Sequence, residues 1–293
     1  MKIVAIAGGK GGTGKTFVAL NLAYLALSRG YRTLFIDADV DNPSANAVLK
    51  PSIDRSEDVA TFVPSIDSSR CRGCAKCVSM CPEHALVALP TGRILVIEDL
   101  CSGCSLCRLV CPFNAIAERK RVEGWIRVGS WNGMDVVVGE LAVGSRKDAI
   151  VIKKLMDYAS SIWSSHRYDY VFIDSPPGTG AKLYPIAKAS KIVVVVTEPT
   201  PLGVSDLRKF FEFLESINFV GKIVVVLNKR GLSDRLEDEV RSIARSRNIP
   251  LIEIPYSRRV AECFASREIY VRRYGEDAIG EALKKLFDYV ESM

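Results

Sequence analysis

The sequence contains no long hydrophobic segment. No apolar run approaches the roughly 20 residues that a helix needs to cross a bilayer. The first apolar stretch, residues 3–7, is too short for a signal peptide and runs directly into glycines. No low-complexity linker is present either. We therefore expect a cytoplasmic protein without a membrane anchor.

The chain also carries little excess of one charge. Its 293 residues include 40 Lys and Arg against 34 Asp and Glu, which gives a formal net charge of +6. An excess of this size does not indicate nucleic acid as a partner, and we expect none. Apolar residues make up 48% and charged residues 25% of the chain, which is typical of a globular protein and excludes a disordered chain.

Cysteine is scarce outside one short segment. Eight of the nine cysteines lie between Cys71 and Cys111, and only Cys263 stands apart. Cysteines of a cytoplasmic chain are seldom paired in disulfides, so a dense group of them indicates metal binding. We expect Cys263 to be a small buried apolar residue.

The eight cysteines form two copies of one pattern. Each copy reads Cys-x2-Cys-x2-Cys-x3-Cys-Pro, and the second follows the first at a constant offset of 30 residues. With this spacing, the first three cysteines wrap one iron–sulfur cluster and the fourth ligates the other. The predicted ligands are Cys71, Cys74, Cys77 and Cys111 for one [4Fe–4S] cluster, and Cys101, Cys104, Cys107 and Cys81 for the second.

The alternative for these cysteines is a pair of structural zinc sites. Such sites typically combine two Cys-x2-Cys pairs, whereas here the third and fourth cysteines keep the cluster spacing in both copies. The segment 64–117 resembles two-cluster bacterial-type ferredoxins, which implies a small α+β domain. Two such clusters with eight thiolates lower the net charge by about 4, to about +2, which further weakens any case for nucleic acid.

A glycine-rich segment follows the first apolar run. It contains the pattern Gly-x4-Gly-Lys-Thr of a phosphate-binding loop, in which backbone N–H groups and the N-terminus of the next helix surround phosphate oxygens. We expect Lys15 to hold the β- and γ-phosphates and Thr16 to bind Mg2+. The predicted nucleotide-binding residues of this loop are Gly9, Lys10, Gly11, Gly12, Thr13, Gly14, Lys15 and Thr16.

Short apolar runs recur on both sides of the cysteine segment, and most precede a turn and a longer amphipathic stretch. They lie at residues 2–7, 33–36, 136–141, 169–173, 191–196, 222–227 and 251–254. This alternation predicts a parallel sheet covered by helices on both faces. We expect a doubly wound, mostly parallel α/β domain over residues 1–63 and 118–293, with the smaller α+β domain inserted at residues 64–117.

A second lysine within the loop points to a particular family. The form Lys-Gly-Gly-x-Gly-Lys-Thr, with this lysine at Lys10, resembles the deviant P-loop of the MinD/ParA/Mrp ATPases and of the nitrogenase iron protein. In that family the extra lysine reaches the partner's nucleotide in a homodimer. The resemblance implies catalytic roles for Lys10 and Lys15, a water-positioning role for Asp39, and support of Mg2+ by Asp37.

Later segments match the same family. Asp174-Ser-Pro-Pro-Gly-Thr-Gly resembles its Walker B and switch II regions, in the wording of the Mrp-like branch. There Asp174 is implied to hold Mg2+ through water and Gly178 to sense the γ-phosphate. Asn228 resembles the residue that reads adenine, and Pro255 with Tyr256 resembles the loop that closes over the base. The resemblance implies a P-loop NTPase that uses ATP or ADP with Mg2+ and hydrolyses ATP slowly without a partner.

The chain departs from two relatives in its cysteines. No cysteine lies near the switch II segment, where the nitrogenase iron protein holds a cluster between subunits, and the C-terminal Cys-x-x-Cys of many Mrp-like carriers is missing. The iron–sulfur function is therefore assigned to segment 64–117.

The main hypothesis combines the two motifs. It is an ATP-switched homodimer that transfers electrons through two clusters to a metalloprotein or cofactor-assembly partner. The alternative is an ATP-dependent iron–sulfur scaffold or carrier of the Mrp-like type. A third hypothesis is a MinD-like spatial regulator in which the clusters sense redox state.

Overall fold

The computed structural model describes residues 1–293, and these form two compact units. The first unit contains Met1–Glu57, Ile126–Glu140 and Asp148–Met293. The second, here called the cysteine unit, contains Asp58–Trp125 and Leu141–Lys147. None of the helices is both long enough and apolar enough to cross a membrane.

Eleven strands and eleven helices make up the chain. The strands are β1 (Lys2–Ala7), β2 (Thr33–Asp37), β3 (Ser52–Ile66), β4 (Leu86–Ala88), β5 (Ile94–Val96), β6 (Ile116–Trp131), β7 (Met134–Leu141), β8 (Tyr170–Asp174), β9 (Ile192–Thr197), β10 (Lys222–Arg230) and β11 (Leu251–Pro255). The helices are α1 (Lys15–Ser28), α2 (Ser44–Leu49), α3 (Lys76–Ser79), α4 (Leu106–Leu109), α5 (Asp148–Ser165), α6 (Tyr184–Ala189), α7 (Pro201–Ser216), α8 (Asp234–Ser246), α9 (Arg258–Ala265), α10 (Tyr270–Tyr274) and α11 (Ala278–Ser292).

Nine strands form one sheet in the order β11-β10-β9-β1-β8-β2-β7-β6-β3. Strand β1 pairs in parallel with β8 and β9, and β2 pairs in parallel with β7 and β8. On the other side, β10 pairs in parallel with β9 and β11. The predicted α/β class and mostly parallel sheet are therefore confirmed.

Both faces of this sheet are buried. On one face Phe35 and Phe172 pack with Phe287 of α11 and with the apolar side of α1. On the other face α6 covers β1, α7 covers β9 and α8 covers β10. The central strands consequently have no solvent-facing side, which explains their nearly unbroken runs of Val and Ile.

The sheet edge formed by β6 and β3 was not predicted from the sequence. Strands β3 and β6 each exceed 14 residues, although neither has an apolar run that predicts a strand. A two-residue turn, Asn132 and Gly133 with φ of 48° and 86°, joins β6 to β7, as is typical of a hairpin. Because β3 and β6 extend past residues 64 and 117, the cysteine unit is larger than the predicted insert.

The cysteine unit has its own small core. Phe62, Leu86 and Ile116 pack there with the buried cysteines Cys77 and Cys107. Around this core lie the short helices α3 and α4 and the antiparallel pair β4 and β5. So small a core is a weak source of stability.

One buried acid ties together separate segments of the cysteine unit. Glu123 of β6 is only 1% exposed, and its carboxylate accepts hydrogen bonds from the Thr61 hydroxyl at 2.7 Å and the Ser145 hydroxyl at 2.6 Å. The Lys147 ammonium lies 3.0 Å from the same carboxylate. These contacts lower the pKa of Glu123 even though burial opposes them.

Candidate functional site

The predicted nucleotide residues gather at one edge of the first unit. Parallel strands β1, β2, β8, β10 and β11 all end there, and ligands of open α/β sheets bind at this edge. A cleft of about 530 Å3 opens at these strand ends. Among its lining residues are the predicted Gly11, Gly12, Gly14, Lys15, Thr16, Asp39, Asn228, Pro255 and Tyr256. Gly9, Lys10, Thr13, Asp37, Asp174 and Gly178 do not line it, and their positions follow below.

The loop between β1 and α1 needs glycine at specific points. Gly14 caps α1 with φ of 100°, and a Cβ atom there would lie 2.2 Å from the Asn228 side-chain nitrogen. A Cβ at Gly9 would lie 2.1 Å from Cβ of Asp206. Any larger residue at these two positions would displace the loop from its neighbours. The loop therefore has a fixed shape with the N-terminus of α1 at its end.

Lys15 is the central cation of the loop. It is buried, and its ammonium donates a 2.9 Å hydrogen bond to the Lys10 carbonyl. Burial lowers the pKa of Lys15, while the nearby carboxylates of Asp174 and Asp39 oppose this effect. A desolvated ammonium that is bonded only to a carbonyl is well suited to an incoming phosphate.

Two further lysines converge on Glu198, which follows β9 and is 5% exposed. The Lys10 ammonium lies 2.6 Å from one Glu198 oxygen, and the Lys229 ammonium lies 2.6 Å from the other. Lys229 also donates to the Gly12 carbonyl at 2.8 Å. Within this single chain, Lys10 is thus held by its own Glu198, and both lysines are joined to the loop.

Two carboxylates meet beneath the loop. Asp37 and Asp174 are paired across the adjacent ends of β2 and β8. Burial and the charge of Asp174 raise the pKa of Asp37 well above its usual range, and burial raises the pKa of Asp174 to about 7. Neither buried Asp174 oxygen has a hydrogen bond of normal geometry. Such orphaned oxygens fit a bound cation or its water ligands.

The same place offers a hydroxyl. The Thr16 hydroxyl lies 3.1 Å from that of Ser44, which also lines the cleft. Asp37 is less available, because it accepts hydrogen bonds from the backbone N–H of Ala45 at 2.9 Å and of Asp39 at 3.2 Å. Hydroxyl and carboxylate oxygens are the hard ligands that Mg2+ prefers, so the set Thr16, Asp37 and Asp174 fits this ion.

Asp39 stands at the start of the segment after β2. One of its oxygens is buried without a hydrogen-bond partner, and burial raises its pKa while Lys15 opposes the rise. Facing the cleft, this carboxylate can accept a hydrogen bond from a water molecule near the phosphate position.

Gly178, in the segment after β8, lies close to the loop between β1 and α1. Its φ is 97°, and a Cβ atom there would be 4.0 Å from the carbonyl oxygen of Gly9. Further along the same segment, the Lys182 ammonium forms an ion pair with Asp148 and lies 3.6 Å from Asp41. The segments after β2 and β8 are therefore joined by the contact between Lys182 and Asp41, and Gly178 also brings the second of them close to the loop.

The far end of the cleft is more apolar. Asn228 donates from its side-chain nitrogen to the Thr13 carbonyl at 2.7 Å, so its side-chain oxygen is left to accept a hydrogen bond. Pro255, Tyr256 and Phe264 form the neighbouring wall. A flat base with an exocyclic amine suits this combination of apolar wall and acceptor.

Sequence reasoning missed several contributors to this site. Glu198, Ser44 and Phe264 belong to no motif, and each takes its position from the fold. Only the place of Glu198 could have indicated its role. It is separated by one residue from the preceding run of five valine and isoleucine residues, which puts it at the ligand edge of a parallel sheet.

The cysteine unit contains two cavities, each lined by four cysteines. The first cysteine cavity is lined by Cys71, Cys74, Cys77 and Cys111. The second cysteine cavity is lined by Cys81, Cys101, Cys104 and Cys107. Each cavity thus takes three cysteines from one repeat and one from the other, and the two groups are the ones that the spacing predicts.

The chemistry of the cavity walls can be compared with that of an iron–sulfur cluster. Four cysteines border each cavity, and [4Fe–4S] clusters are held by four cysteine thiolates. Burial, with a contribution from neighbouring cysteines, raises the pKa of Cys107 to about 11 and also raises that of Cys77. Thiols with raised pKa values become thiolates only next to a strongly positive group. The donor set therefore fits a polynuclear iron–sulfur group.

Comparison with known proteins agrees with the geometry of the cleft. Residues 4–270 match the CobQ/CobB/MinD/ParA nucleotide binding domain. The chain belongs to this family. Membership accounts for the loop between β1 and α1 and identifies the cleft as the nucleotide site of the CobQ/CobB/MinD/ParA domain.

Two relatives and one solved structure illustrate the range of the family. An uncharacterized protein of Methanocaldococcus jannaschii is 31% identical over 273 residues, which are 93% of this chain and 92% of that protein. The iron-sulfur cluster carrier protein of Aquifex aeolicus is 24% identical over 221 residues, 74% of this chain but 44% of that protein. The septum site-determining protein MinD of Pyrococcus horikoshii, complexed with Mg-ADP, has 20% identity and a TM-score of 0.60, with 99% of this chain and 96% of that chain covered. The last similarity establishes the shared fold.

Proposed function

We propose that this protein binds and hydrolyses ATP and carries [4Fe–4S] clusters, which it delivers to acceptor proteins under the control of the nucleotide. The observation that carries the proposal is the sorting of eight cysteines into two four-cysteine cavities, in a chain that also holds a MinD/ParA-type nucleotide cleft. The similarity to a relative named as an iron-sulfur cluster carrier protein favours delivery of clusters over electron transfer.

The residues of the cleft suit ATP hydrolysis. Lys15 neutralises the β- and γ-phosphates, and the backbone N–H groups of the loop and of Gly178 surround their oxygens. Thr16 and Asp174, with support from Asp37, would hold Mg2+, which supplies charge neutralisation between the phosphates. Asp39 orients the attacking water, and Asn228 with Pro255 and Tyr256 receives the adenine. The resemblance to the family implies slow turnover in the absence of a partner.

Lys10 supports a nucleotide-dependent homodimer. Its ammonium lies 2.6 Å from the Glu198 carboxylate and is 30% exposed, so it is accessible at the surface of its own chain. ATP bound in the cleft would compete for the lysines held by Glu198. A freed Lys10 can then reach the nucleotide of a second copy, as the resemblance to the family implies.

Cluster binding would use the two cavities as the sequence predicts them. Cys71, Cys74, Cys77 and Cys111 would hold one cluster, and Cys101, Cys104, Cys107 and Cys81 the second. Backbone N–H groups already point at two of these sulfurs, from Ala85 to Cys81 at 3.4 Å and from Ala115 to Cys111 at 3.3 Å. These donors stabilise thiolate charge. An iron–sulfur protein that receives and releases clusters would exchange them with cysteine sites on its partners.

Electron transfer is the second candidate, and one observation favours it. All eight cysteines of the unit border the two cavities, and the remaining Cys263 is buried in the first unit. No spare cysteine pair is therefore present for a transient handover site. On this reading the clusters stay in place, and a redox partner exchanges electrons with them.

An anaerobic transfer assay separates these functions. Purified protein is reconstituted with iron and sulfide, its iron and sulfide content is measured, and a cysteine-containing apo-acceptor is added with Mg-ATP, with Mg-ADP or without nucleotide. Delivery predicts that iron moves to the acceptor faster with Mg-ATP. Electron transfer predicts that iron remains bound while dithionite-reduced protein passes electrons on. The Cys263→Ala variant is the matched control and should behave as the native chain, whereas failure of reconstituted protein to bind iron and sulfide contradicts both candidates.

A further inference from the structure

We propose that Arg72 and Lys76 make the two cysteine cavities electrically unequal, so that a cluster in the first cysteine cavity accepts an electron before a cluster in the second. This inference rests on the proposed binding of clusters. It holds whether the clusters are delivered to partners or remain in the protein.

The 30-residue repeat makes the two cavities directly comparable. Arg72, at the mouth of the first cavity, corresponds to Ser102 in the second, and Lys76 corresponds to Leu106. The second cavity has a charge of opposite sign, because Glu83 borders it at the position where the first cavity has the uncharged Phe113. The first cavity is therefore bordered by two cations and no anion, and the second by one anion and no cation.

These charges are not neutralised by neighbours. Arg72, Lys76 and Glu83 take part in no ion pair, although their unit contains several others. The pairs Arg119–Glu98 and Arg121–Asp99 lie beside the segment that leads to Cys101, but none of their members borders either cavity. The charge difference between the cavities thus comes from the three unpaired side chains.

The other influences on a cluster are closely matched. Each cavity has four cysteines, and each has a volume of about 20 Å3. Each also has one backbone N–H to sulfur contact at an equivalent place, at 3.3 Å to Cys111 and 3.4 Å to Cys81. Cys101 is buried whereas the equivalent Cys71 is partly exposed, and this difference acts in the same direction as the charges.

The direction of the effect follows from electrostatics. Reduction of a [4Fe–4S] cluster from the 2+ to the 1+ core adds one electron, and with it one negative charge. Adjacent cations favour this added charge, while an adjacent anion and deeper burial disfavour it. A one-electron reductant such as dithionite should therefore reduce the first cavity's cluster before the second.

The test is an anaerobic redox titration followed by EPR on the reconstituted full chain. The native protein should show two one-electron midpoints that differ by at least about 59 mV, a tenfold preference of the electron for one cluster. The double variant Arg72→Ser/Lys76→Leu gives the first cavity the residues of the second. It should lower the higher midpoint by at least half of the separation and leave the other nearly unchanged.

Two further variants complete the design. Glu83→Phe should raise the lower midpoint, whereas Arg93→Ser removes an exposed cation of the same unit that borders neither cavity and should move neither midpoint. Iron and sulfide analysis of every variant shows whether two clusters are present. Two clusters with midpoints that do not respond to Arg72→Ser/Lys76→Leu would overturn this inference alone, while a chain without clusters would overturn the proposed function.

Discussion

The nucleotide cleft and the cysteine cavities differ in how their side chains are held without a ligand. In the cleft, Lys15, Asn228 and Lys229 donate to carbonyls of the loop itself at 2.7–2.9 Å. In the cavities, the sulfurs of Cys81 and Cys111 each accept one hydrogen bond from a backbone N–H, and the Cys101 thiol donates to the Phe62 carbonyl at 4.0 Å. The side chains of the cleft are therefore held by hydrogen bonds to the loop, whereas few such bonds hold the cysteine sulfurs.

This difference indicates two kinds of dependence on a ligand. A preorganised cleft loses affinity or turnover when one side chain is changed, but the surrounding unit remains folded. The proposed clusters would add to the stability of the cysteine unit, which also depends on the hydrogen bonds and ion pair of Glu123. The following experiments test this contrast, from the largest expected effect to the smallest.

Asp39→Asn should slow ATP hydrolysis by about 100- to 10,000-fold, the usual contribution of a group that positions or deprotonates the attacking water. Binding of Mg-ATP should change little, because Asp39 is not part of the phosphate-binding loop. Single-turnover hydrolysis and calorimetric titration measure the two effects separately. Asp54→Asn, an exposed substitution in the same unit, should leave both unchanged. Normal turnover in Asp39→Asn would remove the assignment of this residue.

Lys15→Ala should weaken Mg-ATP binding by about 100-fold or more, since loss of a buried charged contact usually costs at least 2–3 kcal/mol. Circular dichroism and the thermal midpoint of the first unit should stay close to native, as expected for a loop held by other bonds. Lys209→Ala is the matched control, because Lys209 is exposed on α7 and is remote from the cleft residues. Unchanged affinity would show that the loop binds phosphate without this ammonium.

Glu123→Ala should destabilise the cysteine unit by about 3–5 kcal/mol, the range seen when one partner of a buried ion pair is removed. Lys147 would be left without its carboxylate, and Thr61 and Ser145 would lose their acceptor. Limited proteolysis with mass spectrometry should show cleavage in residues 58–125 while the first unit survives. Protection equal to that of the native chain would contradict the structural role of Glu123.

Mg2+-dependent nucleotide binding should weaken as the pH falls below about 7, by at most tenfold per pH unit. Burial raises the pKa of Asp174 to about 7, so protons compete with Mg2+ for its oxygens below that value. The folded state disfavours the charged carboxylate, so Asp174 lowers the stability of the free chain as pH rises from about 4 to 7. In Asp174→Asn, the contribution of Asp174 to the pH dependence of binding and of stability should disappear, whereas buried Asp37 keeps a raised pKa and its own contribution.

Arg119→Ala should change the stability of the cysteine unit by less than about 1 kcal/mol, as is normal for an exposed ion pair. Its partner Glu98 is nearly half exposed, in contrast to the buried Glu123. Chemical denaturation of the reconstituted protein measures the difference. A loss as large as that of Glu123→Ala would show that exposed pairs also determine whether this unit folds.

The cleft could be predicted in large part because its residues belong to motifs or follow buried strands. The glycine-rich loop, Asp37 and Asp174 all come directly after β-branched runs, so a parallel sheet places them together. Glu198 and Ser44 could not be predicted, since a single acid or hydroxyl carries no pattern of its own. Strands β3 and β6 were missed because polar residues occupy both of their faces along much of their length, which hides the alternation of a half-buried strand.

The exchange of one cysteine between repeats has a consequence for assembly. Cys111 borders the cavity of the first repeat, and Cys81 borders that of the second, so neither 30-residue repeat encloses a complete cavity by itself. Each repeat thus completes the cavity of the other, and one repeat alone cannot form a four-cysteine cavity. A fragment that contains only one repeat should therefore hold neither of the proposed clusters with four cysteine ligands.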